Sequence, residues 1–148
     1  MHVAIGSDHA GVGLKAAIVD MLQDLGMPYE DFGTFDGAAV DYPDVARKVA
    51  RSVSIGPFDR GIVICGTGIG ASIAANKVRG IRAALCHEAF SARMSREHND
   101  ANVLCLGSRI VGDGLAIEIV RVWLETPFSG EERHSRRVGK ITSIESDP

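Results

Sequence analysis

Residues 61–70 read GIVICGTGIG, and this stretch, which continues as ASIAANK, decides the fold of the chain. The apolar run from Ile62 to Ile64 has strand character and ends at Cys65, after which glycine occupies every second position. Helical character follows the loop. A strand, a glycine loop and a helix in this order predict that several backbone N–H groups point toward one anion site. Cys65 lies at the edge of that site, where a thiolate would be stabilised.

Strand-like and helix-like segments alternate along the rest of the chain. Strands are predicted at residues 2–6, 28–32, 61–65, 81–86 and 103–106. Helices are predicted from Leu14 to a stop at Gly26, from Asp41 through Val53, from the glycine loop onward, at residues 88–98 and at residues 113–125. Strict alternation with short connections predicts a three-layer α/β/α fold. The sheet is expected to be five-stranded, parallel and flavodoxin- or Rossmann-like, with helices on both faces.

The C-terminal segment predicts a further helix over about residues 130–146. Val138, Ile141 and Ile144 form a narrow apolar stripe, whereas the opposite face is strongly charged. A terminal helix of this kind more often packs on a neighbour, within or between subunits, than stands alone. Only the last few residues are expected to be disordered. No low-complexity tract interrupts the chain, so residues 1–148 are predicted to form one domain.

The composition is that of a soluble globular protein, with 45% hydrophobic and 24% charged residues. A net charge of -3 provides no general attraction to nucleic acids or anionic membranes. No apolar run approaches the roughly 20 residues that span a bilayer, and the N-terminus lacks the pattern of a signal peptide. We therefore expect a cytoplasmic protein without nucleic-acid or membrane partners. Besides Cys65, the chain has Cys86 and Cys105, which we interpret as small apolar residues in or near buried strands.

Polar side chains follow several predicted elements, and we expect them to gather beyond the carboxyl edge of the sheet. They are Ser7, Asp8 and His9 after the first strand, Cys65 with its loop after the third, Ser108 and Arg109 after the fifth, His98, Asn99, Asp100 and Asn102 after the fourth helix, and Arg133, His134, Arg136 and Arg137 in the last helix. Structural alternatives are Asp8 as a helix cap, His98 as a helix end, Cys65 as a buried strand residue, and the arginines as a solvated face paired with Glu131 and Glu132. The combination of thiol, imidazole, carboxylate and guanidinium groups favours a site.

The glycine loop also fits a dinucleotide-binding pattern, because Gly66, Gly68 and Ala71 have the required spacing and Glu88 follows about 20 residues later. Two observations argue against that interpretation. The pattern follows the third strand rather than the first, and a second mononucleotide-binding half is missing. The lysine and hydroxyl residue of a P-loop are absent as well.

Proton transfer next to a carbonyl group fits these residues better. A thiolate can remove a proton from carbon, loop amides can hold the resulting enediolate oxygen, and an imidazole can move protons at hydroxyl oxygens. Arginine side chains are suited to a phosphate group. No dense cluster of metal ligands is present in the sequence, so we expect neither a metal nor a cofactor. The residues alone favour aldose–ketose isomerisation of a sugar phosphate, with thiol hydrolysis as a competing interpretation.

Seven motifs in order along nearly the whole chain closely resemble the ribose-5-phosphate isomerase B family, which includes the galactose-6-phosphate isomerase subunits. They are SDHAG at 7–11, DYPD at 41–44, CGTGIGASIAANK at 65–77, GIRAAL at 80–85, SREHNDAN at 95–102, GSR at 107–109 and RHSRR at 133–137. The resemblance implies metal-free interconversion of ribose 5-phosphate and ribulose 5-phosphate in the pentose phosphate pathway. It also implies a homodimer, sometimes paired into a tetramer, with sites between subunits.

The resemblance assigns roles to individual residues. Cys65 corresponds to the general base, and His98 corresponds to the acid that helps to open the furanose ring. The loop that stabilises the enediolate corresponds to Gly66, Thr67, Gly68, Ile69 and Gly70. The other substrate-contacting positions are Asp8, His9 and Asn99, with Arg109, Arg133 and Arg137 as the phosphate and substrate clamp.

One departure from the family pattern lies beside this clamp, where Ser129-Gly130-Glu131-Glu132 replaces the Gly-Gly pair that commonly precedes Arg-His. Some family members place a glutamate base in the glycine-loop region. Residues 66–75 contain no acid, which favours the cysteine mechanism here. The sequence leaves open a six-carbon substrate, such as allose 6-phosphate or galactose 6-phosphate, and a non-catalytic sugar-phosphate-binding module.

Overall fold

The structure of the protein, a computed structural model, describes residues 1–146. Its strands are β1 (Val3–Ser7), β2 (Tyr29–Asp31), β3 (Arg60–Cys65), β4 (Ala83–Leu85) and β5 (Val103–Gly107). Its helices are α1 (Val12–Asp24), α2 (Tyr42–Ile55), α3 (Ile69–Ala75), α4 (Ala89–Glu97), α5 (Asp113–Glu125) and α6 (Glu132–Ile144), and a short 3₁₀ turn covers His9–Gly11. The predicted α/β/α fold is confirmed. The expectation of disorder at the chain end includes residues 147 and 148, which lie outside the described residues.

The sheet is entirely parallel and has the strand order β2-β1-β3-β5-β4. This order differs from the flavodoxin order 2-1-3-4-5 by an exchange of the last two strands. The exchange places β3 between β1 and β5, so that Ser7 pairs with Ile64 and Cys65 pairs with Gly107. The chain segments that follow β1, β3 and β5 therefore emerge side by side at the carboxyl edge.

Apolar side chains cover both faces of the sheet. One cluster joins the sheet to α1, α4 and α5 and includes the fully buried Trp123, and a second joins it to α2 and α3. The spacing of Val45, Val49 and Val53 predicts a buried stripe on α2; Val45 and Val49 are buried, and Val53 is partly buried. The central strands are buried on both sides, as is typical of parallel sheets. Within residues 1–146, no helix combines the length and the apolar character that crossing a membrane requires.

Helix α6 packs sparsely on its own chain. His134 is its only buried residue, whereas Ile141 is 43% and Ile144 is 65% exposed. At its far end, Glu145 accepts a hydrogen bond of 2.8 Å from the backbone N–H of Gly80. Most of the predicted apolar stripe is therefore left uncovered by a single chain.

Candidate active site

The thiol of Cys65 lies at the carboxyl end of the central strand β3. The residue is 4% exposed, and the backbone N–H of Gly68 donates to its Sγ atom at 3.1 Å. The carbonyl of Cys65 accepts from the backbone N–H of Ser108 at 2.9 Å, which ties the strand end to the segment after β5. An open cleft of about 570 Å³ lies at this point, lined by Asp8, His9, Ala10, Tyr42, Cys65, Gly66, Thr67, Ile69, Gly70, Ile73 and Arg109.

Two glycines of the loop are required by close packing. Gly68 has φ of +76°, and a Cβ atom there would lie 2.5 Å from Leu85 Cδ1 and 2.8 Å from the backbone of Leu106. A Cβ at Gly70 would lie 2.5 Å from the ring of Tyr42. The loop is thus pressed against β4 and β5 on one side and held by Tyr42 on another, which fixes its backbone.

Asp8 caps the turn that follows β1 and also lines the cleft. Its Oδ1 atom accepts from the backbone N–H groups of Ala10 at 2.9 Å and Gly11 at 3.2 Å, so the predicted capping role is present. Its other oxygen, Oδ2, makes no hydrogen bond within the described residues, and Asp8 lines the cleft together with exposed His9. Capping therefore orients the carboxylate without using both of its oxygens.

Arg109 supplies a cation to the same cleft. A Cβ atom at Gly66 would lie 3.4 Å from its guanidinium carbon, so the side chain lies directly over the loop. The backbone N–H of Arg109 donates to the carbonyl of Gly66 at 3.0 Å. Among residues 1–146 no carboxylate forms an ion pair with this guanidinium, which leaves it available to an anionic ligand.

His98 and Asn99 lie at the opposite, amino edge of the sheet. Helix α4 begins after the carboxyl end of β4 and runs back, and the side chain of Arg82, directly before β4, donates to the carbonyl of Asn99 at 3.0 Å. The expectation that these residues gather at the carboxyl edge is therefore wrong within one chain. The physical reason is that a helix between parallel strands ends where the next strand begins.

A histidine pair forms at this amino edge. The rings of His98 and His134 have centroids 4.2 Å apart, and Nδ1 of the buried His134 is hydrogen-bonded to Ser129 Oγ at 2.8 Å. Burial lowers the pKa of His134, and a charge on His98 lowers that pKa further. The neutral form of His134 is therefore favoured beneath the ring of His98, which itself forms the C-terminal cap of α4.

Arg133 and Arg137 follow on the first turns of α6, four residues apart and on one helical face. Nε of Arg133 donates to Glu131 at 2.8 Å between exposed side chains, so one part of the predicted surface pairing is present. Arg137 forms no ion pair within the described part of the chain. Neither arginine lines the cleft at Cys65.

The other two cysteines are buried, as their interpretation predicts. Cys86 is 2% exposed and Cys105 is fully buried, and burial raises the pKa of both thiols. Cys65 is therefore the cysteine that the fold brings to a cleft.

Tyr42 lines this cleft although it was not among the predicted site residues. The signal was present in the sequence, because a helix that follows a strand begins at the carboxyl edge. The first turn of α2 therefore had to lie there.

Comparison with known proteins extends this description. Ribose-5-phosphate isomerase B of Escherichia coli (strain K12) is 51% identical over 143 residues, which cover 97% of this chain and 95% of that protein. D-erythrulose-4-phosphate isomerase of Pectobacterium atrosepticum is 46% identical over 132 residues, covering 88% and 86%. The solved structure of ribose-5-phosphate isomerase B from Clostridium thermocellum matches with a TM-score of 0.96 and 58% identity, covering 99% of this chain and 98% of that one.

The shared fold and the extent of these matches define the class of protein, which is that of the aldose–ketose isomerases. The chain belongs to the Ribose/Galactose Isomerase family, whose model matches residues 3–141. The resemblance indicated by the sequence motifs is thereby confirmed.

Proposed function

We propose that this chain interconverts D-ribose 5-phosphate and D-ribulose 5-phosphate through an enediolate, as a step of the pentose phosphate pathway. The observation that carries the proposal is the position of Cys65, whose thiol lies in the glycine-loop cleft beside the guanidinium of Arg109. The names of the relatives from E. coli and C. thermocellum support the five-carbon substrate.

Cys65 acts as the general base in this proposal. Its thiolate takes the proton from C2 of the open-chain aldose, the C–H electron pair forms a C1–C2 double bond, and the carbonyl electrons move to O1. The proton on O2 passes to O1, and return of the proton from the Cys65 thiol to C1 then yields the ketose, with its carbonyl at C2 and a hydroxyl at C1. The N–H of Gly68, 3.1 Å from Sγ, helps to hold the sulfur at the cleft. A positioned base of this kind contributes about 10²–10⁴-fold to the rate.

The loop from Gly66 to Gly70 stabilises the charge that develops on the enediolate oxygen. Amides in the first turn of a helix have no intrahelical acceptor, and Gly70 lies in the first turn of α3. Contact with Tyr42 holds this backbone in place, so little reorganisation is needed when the charge appears. The exposed hydroxyl of Thr67 lies in the same cleft.

A second chain supplies the remaining groups. Within one chain, His98, Asn99, Arg133 and Arg137 lie outside the cleft at Cys65. Ile69 and Ile73 line that cleft and are 53% and 56% exposed, and Ile110, which follows Arg109 in the chain, is 55% exposed. Exposed apolar surface of this kind favours a partner. A homodimer, with or without further pairing into a tetramer, would bring the two groups together in two sites between subunits.

In the assembled site, His98 moves a proton during opening of the furanose ring, and the arginines bind the phosphate group. Asp8, His9 and Asn99 contact the sugar. Every step uses groups of the protein itself, so dialysis against a chelator should leave kcat/KM unchanged. A loss that added metal restores would contradict the metal-free part of the proposal.

Mixed dimers test the shared site. Cys65→Ala and His98→Asn should each strongly lower the turnover of ribose 5-phosphate by their own homodimer, because every site then lacks one group. After unfolding, mixing in equal amounts and refolding, we expect about one quarter of wild-type activity, since half of the dimers are mixed and each mixed dimer retains one intact site. A mixture whose turnover stays at the mean of the two separate variants, beside a refolded wild-type control that recovers, would contradict a site shared between chains.

A panel of sugar phosphates tests the substrate. The proposal predicts the highest kcat/KM with ribose 5-phosphate, compared with erythrose 4-phosphate, allose 6-phosphate and galactose 6-phosphate. The four-carbon compound belongs in the panel because of the name of the P. atrosepticum relative. Higher kcat/KM with a six-carbon substrate would move the assignment to that sugar. Binding of all substrates without turnover would instead indicate a sugar-phosphate-binding module.

We also propose that the protein is cytoplasmic. The three cysteines are free and do not form disulfides with one another, which is the state expected in a reducing compartment. Fractionation of the source cells followed by immunodetection tests this assignment.

A further inference from the structure

Asp100 ends the segment that carries His98 and Asn99. Its φ is +48°, and among residues 1–146 it is the only residue other than glycine with a positive φ. Glycine or asparagine usually occupies such a left-handed position after a helix, because a β-carbon is strained there. The use of an aspartate at this point therefore calls for a compensating contact.

Two arginines provide that contact. Nη1 of Arg96 donates to Asp100 Oδ1 at 2.8 Å, and Nη2 of Arg82 donates to Asp100 Oδ2 at 3.0 Å. Each oxygen of the carboxylate is thus held by a different guanidinium, one from α4 and one from the residue that precedes β4. The carboxylate is fixed relative to both the helix and the sheet.

The same guanidiniums also hold the backbone around Asp100. Arg82 donates to the carbonyl of Asn99 through Nε at 3.0 Å and to the carbonyl of Asp100 through Nη2 at 2.9 Å. Arg96 donates to the carbonyl of Ala101 at 2.6 Å. Three consecutive carbonyl groups are therefore bound by side chains, which leaves the turn after His98 little freedom.

The charge of Asp100 matters because this carboxylate lies among the side chains of Arg60, Arg82 and Arg96. Arg96 is 2% exposed, and its guanidinium and that of Arg60 lie 5.9 Å and 6.0 Å from the ring of Trp123. A buried guanidinium without a counter-charge is strongly destabilising. Asp100 supplies that counter-charge by ion pairs to both Arg82 and Arg96.

We propose that Asp100 is a positioning residue for His98 and Asn99. Held by the two arginines, it fixes how the chain leaves α4, and so fixes the directions in which these two side chains project toward the sugar. This inference rests on the proposed function, because it takes His98 to be the group that opens the furanose ring. Catalytic side chains whose positions must be correct to a fraction of an ångström need such support from neighbouring residues.

The test separates ring opening from proton transfer at carbon. Asp100→Asn keeps the size of the side chain and tolerates the left-handed backbone, but it loses the charge. We expect kcat for ribose 5-phosphate to fall about 10- to 100-fold, as for a displaced catalytic group. Solvent exchange of the C1 hydrogen of saturating ribulose 5-phosphate should stay close to wild type, because the ketose is acyclic. His98→Asn should show the same split, that is, a loss of turnover of ribose 5-phosphate with exchange of the ribulose 5-phosphate hydrogen retained.

Asp59→Asn is the matched control, since Asp59 is an exposed carboxylate at the same edge and makes no contact with the turn. This variant should retain both activities. Should Asp100→Asn fail to fold, Arg82→Lys carries the test, because it keeps the charge and loses the forked contact with the carbonyl groups. The same split is expected for Arg82→Lys.

The outcomes distinguish the two proposals. Wild-type turnover in the folded Asp100 or Arg82 variant, with the split present in His98→Asn, overturns the positioning role alone. Equal loss of turnover and exchange in the Asp100 or Arg82 variant also overturns it, because the role is then general to the fold. Absence of both turnover and exchange in the wild-type enzyme overturns the proposed function itself.

Discussion

The two edges of the sheet hold their functional side chains in different ways. At the carboxyl edge, backbone groups hold the site: the N–H of Gly68 donates to Cys65 Sγ, and the N–H of Ser108 donates to the carbonyl of Cys65. At the amino edge, side chains hold the site: the ring of His98 packs against that of His134, and Asp100 forms ion pairs with Arg82 and Arg96. One edge is fixed by close packing, and the other is fixed by titratable and charged groups.

Because of this difference, we expect the two halves of the proposed site to lose activity for different physical reasons. The backbone of the loop from Gly66 to Gly70, here called the backbone cradle, is disturbed by added atoms, whereas ionisation of side chains does not alter its packing. A cluster of imidazoles and ion pairs tolerates changes of shape better, but it responds to charge and to pH. Substitutions at each edge therefore test whether packing governs one edge and charge governs the other.

The largest effect is expected at the thiol. Cys65→Ala should lower kcat by about 10³-fold, because it removes the proposed general base, and it should leave binding of the sugar phosphate largely intact. Cys105→Ala is the matched control, since that thiol is fully buried and its pKa is raised. Steady-state kinetics and calorimetric binding check both variants. Wild-type turnover of Cys65→Ala would remove the base assignment.

The next largest effect tests whether added atoms in the backbone cradle lower activity. Gly68→Ala adds a Cβ 2.5 Å from Leu85 Cδ1 at a left-handed φ, so the loop must move. We expect about a 10²-fold loss of kcat, similar to the loss of one oxyanion donor, together with a lower Tm. Gly112→Ala, where a Cβ meets nothing within 4 Å, serves as the control. Equal behaviour of the two variants would show that close packing does not govern this edge.

A smaller effect is expected at the arginines of α6. Arg137→Ala should weaken binding of phosphorylated sugars by about 1.5–3 kcal/mol, because a hydrogen bond to a charged group is lost. Arg136→Ala, one residue away on the helix, should have a smaller effect. The comparison is made by KM for the sugar phosphate and by binding of inorganic phosphate. An equal loss toward a phosphate-free sugar would indicate that Arg137 has a structural role.

The smallest effect concerns pH at the amino edge. Because burial lowers the pKa of His134 from its ordinary value of 6.5, the unfolded chain binds a proton that the folded chain excludes. Stability from this residue is complete above that value and declines as the pH falls below it. Between about pH 7.5 and about pH 5.5, Tm should therefore fall more steeply for the wild type than for His134→Asn. Parallel curves would show that burial of His134 is not linked to pH.

The carboxyl edge could be predicted from sequence to a large extent, because its information is local. A strand, a glycine loop and a helix lie next to one another in the chain, so Cys65 and the loop could be placed together. Arg109 was harder to place, since its position over Gly66 depends on β5 lying next to β3 rather than at the edge of the sheet. Nothing local in either segment encodes that neighbour relation.

The amino edge was misplaced for a different reason. His98 and Asn99 were grouped with Cys65 by polarity, although the direction of α4 within its βα unit sends them to the other end of the sheet. The contacts that hold them join residues far apart, such as Arg82 with Asp100 and Arg96 with the carbonyl of Thr126. Long-range contacts of this kind leave no periodic signal in a single sequence.

Helix α6 buries a single side chain in its own chain although it is 13 residues long. A helix with so little burial receives little stabilisation from the fold that carries it. Its order therefore depends on whatever covers its other faces, and a partner that binds there stabilises it by mass action. Protein concentration is therefore expected to influence how well α6 is ordered, in addition to the sequence.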